Sequence, residues 1–370
     1  MPKTPSSREK IRLQALQEPE KFQNDELVAA VCKYFCRGYP AAETIKLIKE
    51  KLGVTLSRED PHRLVAYACR REWLRFEAPP SFALTEQISE KYRWLKGVKV
   101  VRTGVSDDIS SRVAEMLMDQ VCELSSDRSP DEPVHIGFAG GKALRKTARV
   151  FSEMLREPRE NLPKRIVFHA IVAGFIVTDP STDPNGFFTY FAGETALQVQ
   201  ASFVGLPAPL IVKSSEIDKL RATPYMSEAF DGKNAIDIIV TSAGGHWQQG
   251  HSSFHSMLSM ASKQTVDQLN KAGCIGDLMW RPLGKNGILD VRTDMRTVTL
   301  MEPDDLPNFI KGKGHRSVIL LVGPCGNCGG PKGDVLAAIL AKKNLITHLV
   351  ADSRSVRQLL AMESGKPVAD

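Results

Sequence analysis

The sequence has no hydrophobic run long enough to cross a bilayer. Its 370 residues include only short apolar stretches such as Ser317–Val322, whereas a transmembrane helix needs about 20 consecutive apolar residues. The beginning of the chain, Met1–Gln17, is polar and basic and lacks the apolar core of a secretory signal peptide. We therefore expect a cytoplasmic protein with no membrane partner.

Cysteine is also scarce. Seven cysteines are scattered along the chain, which argues against a disulfide framework and fits reduced thiols. Cys325 and Cys328 form a C-x-x-C pair, but no second pair lies near it, and His315 is the closest histidine along the sequence. A zinc site or a redox pair is one interpretation. We favour small residues in a tight loop, and predict no metal and no cofactor.

Three histidines, His246, His251 and His255, have spacings that suggest metal binding, because His251 and His255 are four residues apart as on a zinc-binding helix. No carboxylate or cysteine completes the set until Asp267 and Cys274. The segment follows a Gly-Gly pair. Hydrogen bonds to sugar hydroxyls, or simple solvation, are therefore favoured over metal ligation.

The length predicts more than one domain, since domains usually contain about 100–200 residues. Consecutive prolines at Pro79 and Pro80 cannot continue a helix and mark the best boundary. In the connector that follows, Ile88, Tyr92 and Leu95 form a stripe that could pair two subunits. We predict a flexible tail over residues 1–20, a helix-turn-helix domain over 21–78, a connector helix over 79–98 and an effector domain over 99–365.

Three helical patterns before the prolines predict the helix-turn-helix. Their apolar residues recur three and four positions apart, and Gly38 and Gly53 end the first two helices. The third pattern covers Pro61–Trp73, with Asp60 as N-cap and the proline at the first helical position. The residues expected to face DNA lie on or just before this helix: Arg58, His62, Arg63, Tyr67 and Arg70.

The charge around this helix leaves its role open. Residues 1–80 carry +4 of the net charge of +6, a weak indication of a nucleic-acid partner. Glu59 and Asp60, however, place negative charge where a helix end would approach phosphate, and most charged helix faces are only solvated. The pattern therefore allows a DNA-binding helix, a solvated face, or a DNA module that has lost its function.

After the prolines, short β-branched segments alternate with helical patterns. This alternation predicts βαβ units around a mostly parallel sheet, in a Rossmann-like, doubly wound α/β fold. Strands are predicted at Val134–Gly137, Ile236–Thr241 and Ser317–Val322, among others, and helices at Gly186–Val204 and His255–Ala272.

Four glycine-containing loops follow predicted strands or lie at the sheet edge. Glycine lets the backbone approach an anion, helix N-termini present free N–H groups, and lysine adds positive charge. Loops of this kind meet at the carboxyl ends of parallel strands. None matches a dinucleotide fingerprint or a Walker A motif, so we predict a site for a different small anion. Its residues are Gly140, Gly141, Lys142, Gly244, Gly245, Asp277, Gly329, Gly330 and Lys332.

Over Thr85–Met362 the chain resembles the sugar-binding domain of the SorC family of sugar-responsive bacterial regulators. The matching landmarks occur in order: the Gly140-Gly141 loop, the strand Ile166–Ala173, Leu206–Pro209, Ile236–Gly245, Gly273–Asp277 and the loop Ser317–Lys332. The first and last loops are individually common, whereas the ordered set is fairly specific. The helical module is similar more loosely, through Gly53, Ser57, Arg58, Arg63, Leu64 and Ala68, and Pro61 departs from the pattern.

The resemblance implies a Rossmann-like domain related to sugar-phosphate isomerases. It also implies a regulator that binds operator DNA, is controlled by a sugar phosphate or related carbohydrate, with a phosphorylated sugar as the expected effector, and forms a homodimer or homotetramer. The effector phosphate would meet Gly140, Gly141, Lys142 and Lys332. Asp277 would accept from sugar hydroxyls, and the Asn185 amide would lie near the ligand. Here Thr178–Phe188 replaces the glycine-rich stretch that is usual in the family.

An enzyme of the isomerase-like class is the alternative function. Such an enzyme needs a carboxylate or histidine base beside the sugar C1–C2, and Asp277, Asp179 or Asp183 could serve. A small-molecule enzyme has no need of the predicted helix-turn-helix, so we favour a regulator without catalytic residues.

Overall fold

The computed structural model describes residues 24–71, 73–74, 78–174, 182–193, 196–312 and 314–365, without the side chains of Ser106 and Asp107. The predicted tail, residues 1–20, and the candidate base Asp179 lie outside the described residues. The chain divides into two compact units, one up to Glu77 and one from Ala78 onwards. Among the described helices, none is both long enough and apolar enough to cross a membrane.

The first unit, here called the helical unit, contains α1 (Asp25–Phe35), α2 (Ala41–Leu52) and α3 (Asp60–Arg70). Asn24 caps α1, since its side chain accepts a hydrogen bond from Leu27 N at 3.0 Å. Gly53 ends α2 with φ of 66°, a left-handed conformation that glycine adopts without steric cost. The core of the unit includes Leu27, Val28, Val31, Ile48, Leu56, Leu64, Tyr67 and Ala68.

The start of α3 differs by one residue from the prediction. Glu59, not Asp60, is the N-cap, and Pro61 lies in the first turn, where its missing N–H costs no helical hydrogen bond. Asp60 is buried, and its Oδ2 accepts from Ser57 N at 2.6 Å. The Asp60 carboxylate therefore stabilises the turn before α3 and is not exposed at the helix end.

The second unit, here called the α/β unit, alternates helices and strands. Its helices are α4 (Phe82–Lys91), α5 (Ser106–Ser126), α6 (Lys142–Met154), α7 (Pro184–Phe187), α8 (Ile217–Arg221), α9 (Pro224–Gly232), α10 (Ser253–Ala261), α11 (Lys263–Lys271), α12 (Leu306–Lys311), α13 (Gly333–Leu340) and α14 (Ser353–Ser364). Its strands are β1 (Gly97–Val101), β2 (Val134–Phe138), β3 (Arg165–Ala170), β4 (Gln200–Val204), β5 (Ile211–Lys213), β6 (Ile238–Gly244), β7 (Gly276–Leu278), β8 (Arg281–Gly284), β9 (Gly287–Ile288), β10 (Met295–Thr297), β11 (Ser317–Val322) and β12 (His348–Asp352).

Parallel strands form the main sheet in the order β1-β12-β11-β6-β2-β3-β4. All six residues of β11 are buried, as expected for a central strand covered on both faces. The chain runs from β2 to β3 and β4 on one side, and then returns to β6, β11 and β12 on the other. Such a reversal opens a crevice at the carboxyl ends of the strands, where open α/β sheets bind ligands.

An antiparallel extension leaves the centre of this sheet. β7 pairs with the end of β6, with Gly244 opposite Asp277, and β8 and β9 continue as hairpins. Separately, β5 pairs with β10. The extension brings Asp277 beside the carboxyl end of β6, although it lies more than 30 positions further along the chain.

Two predicted helices have other forms in the structure. The segment Gly186–Val204 contains the end of α7 and a 3-10 turn, and its last residues form β4, which pairs with β3. Sheet pairing overrides the local helical pattern there. The segment His255–Ala272 contains parts of two helices, α10 and α11, because the Ser262 side chain caps α11 by accepting from Thr265 N at 3.2 Å.

The helix predicted as a connector, within residues 79–98, belongs to the core of the α/β unit. Ile88 of α4 is fully buried, and Tyr92 and Leu95 are each 9% exposed. The Tyr92 hydroxyl donates to Glu363 Oε1 of α14 at 2.6 Å. The apolar stripe that the sequence offers for pairing two subunits is therefore buried inside one chain.

Candidate ligand site and DNA-facing helix

The carboxyl ends of β2, β6 and β11 surround a cavity of about 270 Å³. Residues 140–143 after β2, the loop after β6 and residues 323–327 after β11 form its walls, together with α10 and the β7–β8 hairpin. The cavity therefore lies where the strand order reverses. The predicted effector residues that line it are Gly140, Gly141, Lys142, Gly244, Gly245, Asp277 and Lys332.

Three of the predicted effector residues lie elsewhere. Gly329 and Gly330 belong to the same loop as Cys325 but do not line the cavity. Asn185 lies at a separate concave surface with Asp183 and Leu206. Its Oδ1 accepts from Leu206 N and its Nδ2 donates to Asp183 Oδ1, both at 2.9 Å. The amide thus holds the turn around α7 and does not line this cavity.

A buried aspartate, Asp277, and a partly buried lysine, Lys332, share the cavity. Lys332 Nζ donates to Ala243 O at 3.0 Å, and burial lowers the pKa of the lysine. Asp277 is 3% exposed. Burial raises the pKa of its carboxyl to about 6, against the hydrogen bond from Ser252 and the charge of Lys332. Burial penalises both charges, so each would gain from a ligand of complementary charge or hydrogen-bonding capacity.

Glycine is needed where the cavity wall packs most closely. A Cβ atom on Gly244 would lie 1.9 Å from Asp277 Oδ2, and one on Gly140 would lie 2.3 Å from the Trp280 ring. Larger residues at these positions would displace the carboxylate or the indole.

Trp280 occupies the tip of the β7–β8 hairpin under backbone strain. It is 4% exposed, and both Trp280 and Met279 have positive φ, 58° and 52°. Non-glycine residues rarely adopt this conformation, and it persists where surrounding packing holds it, often at functional sites. The hairpin therefore presents a buried aromatic ring to the cavity.

The loop after β2 leads directly into α6, whose first residue is Lys142. Gly141 is the N-cap, so no side chain satisfies the first N–H groups from that position, and the first turn has no acidic residue. The N-terminal end of a helix and a lysine at the wall of the cavity both favour an anion.

The sequence did not identify Trp280, Thr182 or Ser252, which also line the cavity. Ser252 Oγ donates to Asp277 Oδ2 at 2.6 Å, and it lies in the segment that contains His246 and His255, for which the sequence suggested bonds to sugar hydroxyls. Trp280 belongs to no local motif, and the sequence marked Thr182 only as part of Thr178–Phe188, without a role at the site. Tertiary packing alone places them at the site.

In the helical unit, Arg58, His62, Arg63 and Arg70 are exposed. Tyr67 is not. It is 3% exposed and packs edge-on against Trp73, with ring centroids 5.9 Å apart. The assignment of Tyr67 to the DNA-facing surface is corrected, because it follows the buried Leu64 by three positions and shares its face of α3.

The chain matches no protein-family model and no curated protein sequence. It does resemble solved structures over most of its length. The full-length sorbitol operon regulator SorC from Klebsiella pneumoniae is 17% identical, with a TM-score of 0.60, and the match covers 91% of this chain and 99% of that one.

Two further structures resemble the chain. A transcriptional regulator from Streptococcus pneumoniae TIGR4 is 19% identical, with a TM-score of 0.57 over 76% of this chain and 97% of its own. A DeoR family transcriptional regulator from Listeria monocytogenes is 17% identical, with a TM-score of 0.55 over 74% and 97%. The chain has the fold of the SorC and DeoR family regulators. The predicted fold class, a doubly wound α/β unit preceded by a helical module, is confirmed.

Proposed function

We propose that this chain is a DNA-binding transcriptional regulator controlled by a phosphorylated sugar, which binds in the cavity at the carboxyl edge of the sheet. The observation that carries the proposal is the meeting of Lys332, Asp277 and the start of α6 around that one cavity. The structural neighbours include a sorbitol operon regulator and a transcriptional repressor with a putative sugar-binding domain.

The cavity suits a sugar phosphate in size and chemistry. Its volume of about 270 Å³ is near the lower end of ordinary ligand sites, about 300–1,000 Å³. Lys332, Lys142 and the N–H groups of α6 favour the phosphate. Asp277 and Ser252 offer hydrogen bonds to hydroxyls, and the Trp280 ring offers an apolar surface for the sugar ring.

The helical unit supports the DNA-binding half of the proposal. α3 exposes Arg63 and Arg70, seven residues apart and so on one face of the helix, and Arg58 lies in the turn before it. Helix-turn-helix readers usually bind two half-sites as dimers. We therefore propose a homodimer or homotetramer on operator DNA.

The effector half is tested by a thermal-shift screen of sugar phosphates and their unphosphorylated sugars. A ligand at about 100 times its Kd stabilises the protein by about 2.7 kcal/mol. Lys332→Met should abolish the shift, whereas the matched control Lys285→Met, an exposed lysine in the turn after β8, should retain it. The effector proposal fails if no sugar phosphate shifts the wild-type melting temperature.

The DNA half is tested by mobility-shift titrations on the DNA upstream of the protein's own gene, at two salt concentrations. Arg63→Ala should cost roughly 1–3 kcal/mol and relax specificity at one base pair. Arg58→Ala should weaken all sequences alike and flatten the salt dependence. If the wild-type protein shows no sequence preference, with or without the effector, a DNA module that has lost its function replaces the regulator.

The raised pKa of Asp277 favours a second candidate, an isomerase-like enzyme, because a base that titrates near 6 suits proton abstraction. Asp183, the other described candidate, already accepts from Asn185. NMR of aldose and ketose phosphates incubated with the protein distinguishes the functions. Interconversion that Asp277→Asn abolishes would identify the enzyme.

A further inference from the structure

The loop after β11 and the turn after β6 bring two thiols and an imidazole together. Cys325 Sγ, Cys328 Sγ and a ring nitrogen of His246 all lie within 4.8 Å of one another. Along the chain the histidine is about 80 positions from the cysteines, so the C-x-x-C pair has a partner that its own sequence neighbourhood does not reveal.

We propose that Cys325, Cys328 and His246 bind a zinc ion. Thiolate sulfur and imidazole nitrogen are the ligands that zinc prefers, with Zn–S of about 2.3 Å and Zn–N of about 2.0–2.1 Å in tetrahedral sites. Ligand atoms around one such ion are themselves roughly 3.3–3.8 Å apart, so the cluster needs only a small contraction to close on it. The proposal departs from the expectation that this loop binds no metal.

The backbone of the loop already holds the two thiols in place. Cys325 N donates to Gly330 O at 2.9 Å, and Gly329 N donates to Cys325 O at 2.8 Å. Gly329 has φ of 67°, which turns the chain back after Cys328. Gly330 N donates to Cys328 Sγ at 3.4 Å, a contact that stabilises a thiolate.

His246 is held just as firmly. It adopts a left-handed conformation, with φ of 54°, which is uncommon for a residue with a side chain. Its Nε2 lies 3.0 Å from Pro331 O, and hydrogen bonds from the imidazole to a backbone carbonyl are what orients ligating histidines. A Cβ on Gly330 would lie 2.9 Å from His246 Cε1 and 3.2 Å from Cys328 Sγ. The glycine therefore allows these two groups to converge.

The site adjoins the ligand cavity. Cys325 and His251 both line that cavity, and His251 Nδ1 lies 3.7 Å from Cys325 Sγ. A zinc ion held by Cys325 would therefore fix the wall formed by the loop after β11. The zinc proposal does not depend on which ligand, if any, the cavity binds.

The test uses the full chain, prepared metal-free under reducing conditions, and a zinc titration against a chromophoric chelator. We expect one equivalent of zinc, and cobalt(II) in its place should show the intense bands of thiolate ligation. Cys325→Ser, Cys328→Ser and His246→Gln should each weaken zinc binding at least about tenfold. The matched controls Cys36→Ser and His315→Gln, both exposed, should bind as the wild type does.

Circular dichroism of each variant without metal shows whether it folds, and a variant that does not fold is replaced by Cys328→Ala, at the exposed position of the pair. Any one of three outcomes would overturn the zinc site: less than one equivalent of zinc bound by the wild type, a cobalt form without thiolate bands, or folded variants that bind zinc as tightly as the controls do.

Discussion

The two ends of strand β6 each carry a buried aspartate and a basic partner, but the two pairs differ. At the amino end, Asp237 accepts from Arg128 Nη2 at 2.6 Å and Nη1 at 2.9 Å, and from His135 N at 2.9 Å. At the carboxyl end, Asp277 accepts from Ser252, and Lys332 Nζ donates to the backbone carbonyl of Ala243. The first pair is a closed ion pair, whereas the second opens onto a cavity.

The difference suggests that the two edges of the sheet have different roles, one in stabilising the fold and the other in binding a ligand. A bidentate Arg–carboxylate pair with further N–H donors compensates much of the desolvation of its charges. Asp277 is compensated less fully, because burial raises the pKa of its carboxyl by more than the Ser252 hydrogen bond and the Lys332 charge lower it. We infer that the amino edge stabilises the α/β unit and that the carboxyl edge retains charges whose compensation comes from a ligand.

Breaking the closed pair should have the largest effect. Asp237→Asn removes the carboxylate that accepts from both Arg128 Nη groups and leaves the partly buried guanidinium with only the Glu132 carboxylate, 3.5 Å from its Nε, as an ion partner. Such a loss costs about 3 kcal/mol. Denaturant titration of the α/β unit measures the loss. The double variant Arg128→Met/Asp237→Leu should lose less than the single one, because no charge is left uncompensated. If Asp237→Asn were as stable as the wild type, the proposed distinction between the two edges would be wrong.

Acidification should also destabilise the α/β unit, through a buried histidine near the carboxyl end of β3. Burial and the neighbouring His135 charge lower the pKa of His169 to about 4, below about 6.5 in the unfolded chain. The unfolded state therefore binds more protons between these values, and stability falls as pH decreases through that window, by up to about 3 kcal/mol. Unfolding free energies from pH 7 to 4 check this, and His169→Gln should flatten the slope. An unchanged slope in that variant would contradict the assignment.

Asp277 should respond in the opposite direction. Its folded-state pKa of about 6 exceeds the unfolded value, so its ionisation lowers stability as pH rises from about 4 to 6. Asp277→Asn should therefore raise the free energy of unfolding at pH 7 by about 1–3 kcal/mol while weakening ligand binding. The exposed Asp290→Asn is the control and should change neither. A destabilised Asp277→Asn would show that the carboxyl edge is also a structural ion pair.

The smallest effect on stability is expected from Lys332→Met. The substitution removes a partly buried ammonium group whose pKa burial lowers, and the apolar stem keeps its packing. Since Asp277 can take up a proton in response, the free energy of unfolding should change by less than about 1 kcal/mol. Chemical denaturation without ligand measures it. A loss as large as that of Asp237→Asn would mean that the two pairs are equivalent.

Local patterns were sufficient for the elements and for part of the site. Apolar residues three and four positions apart located α1, α2 and α3, and β-branched segments located the central strands. Glycine pairs after strands located the loops at 140–142 and 244–245. Local patterns were insufficient where strand pairing determines the secondary structure. The residues of β4 have a helical pattern, yet they form a strand that pairs with β3.

The sequence by itself determined the doubly wound fold. Short apolar segments indicate parallel strands that are buried on both faces, and apolar residues three and four positions apart indicate amphipathic helices, so both kinds of element can be recognised locally. The tertiary structure alone decided which side chains meet. It placed Tyr67 in the core, because the helices that pack against α3 determine which of its faces is buried. It brought Trp280 to the cavity and His246 to the C-x-x-C loop, because contacts across the sheet edge join residues that no sequence spacing relates.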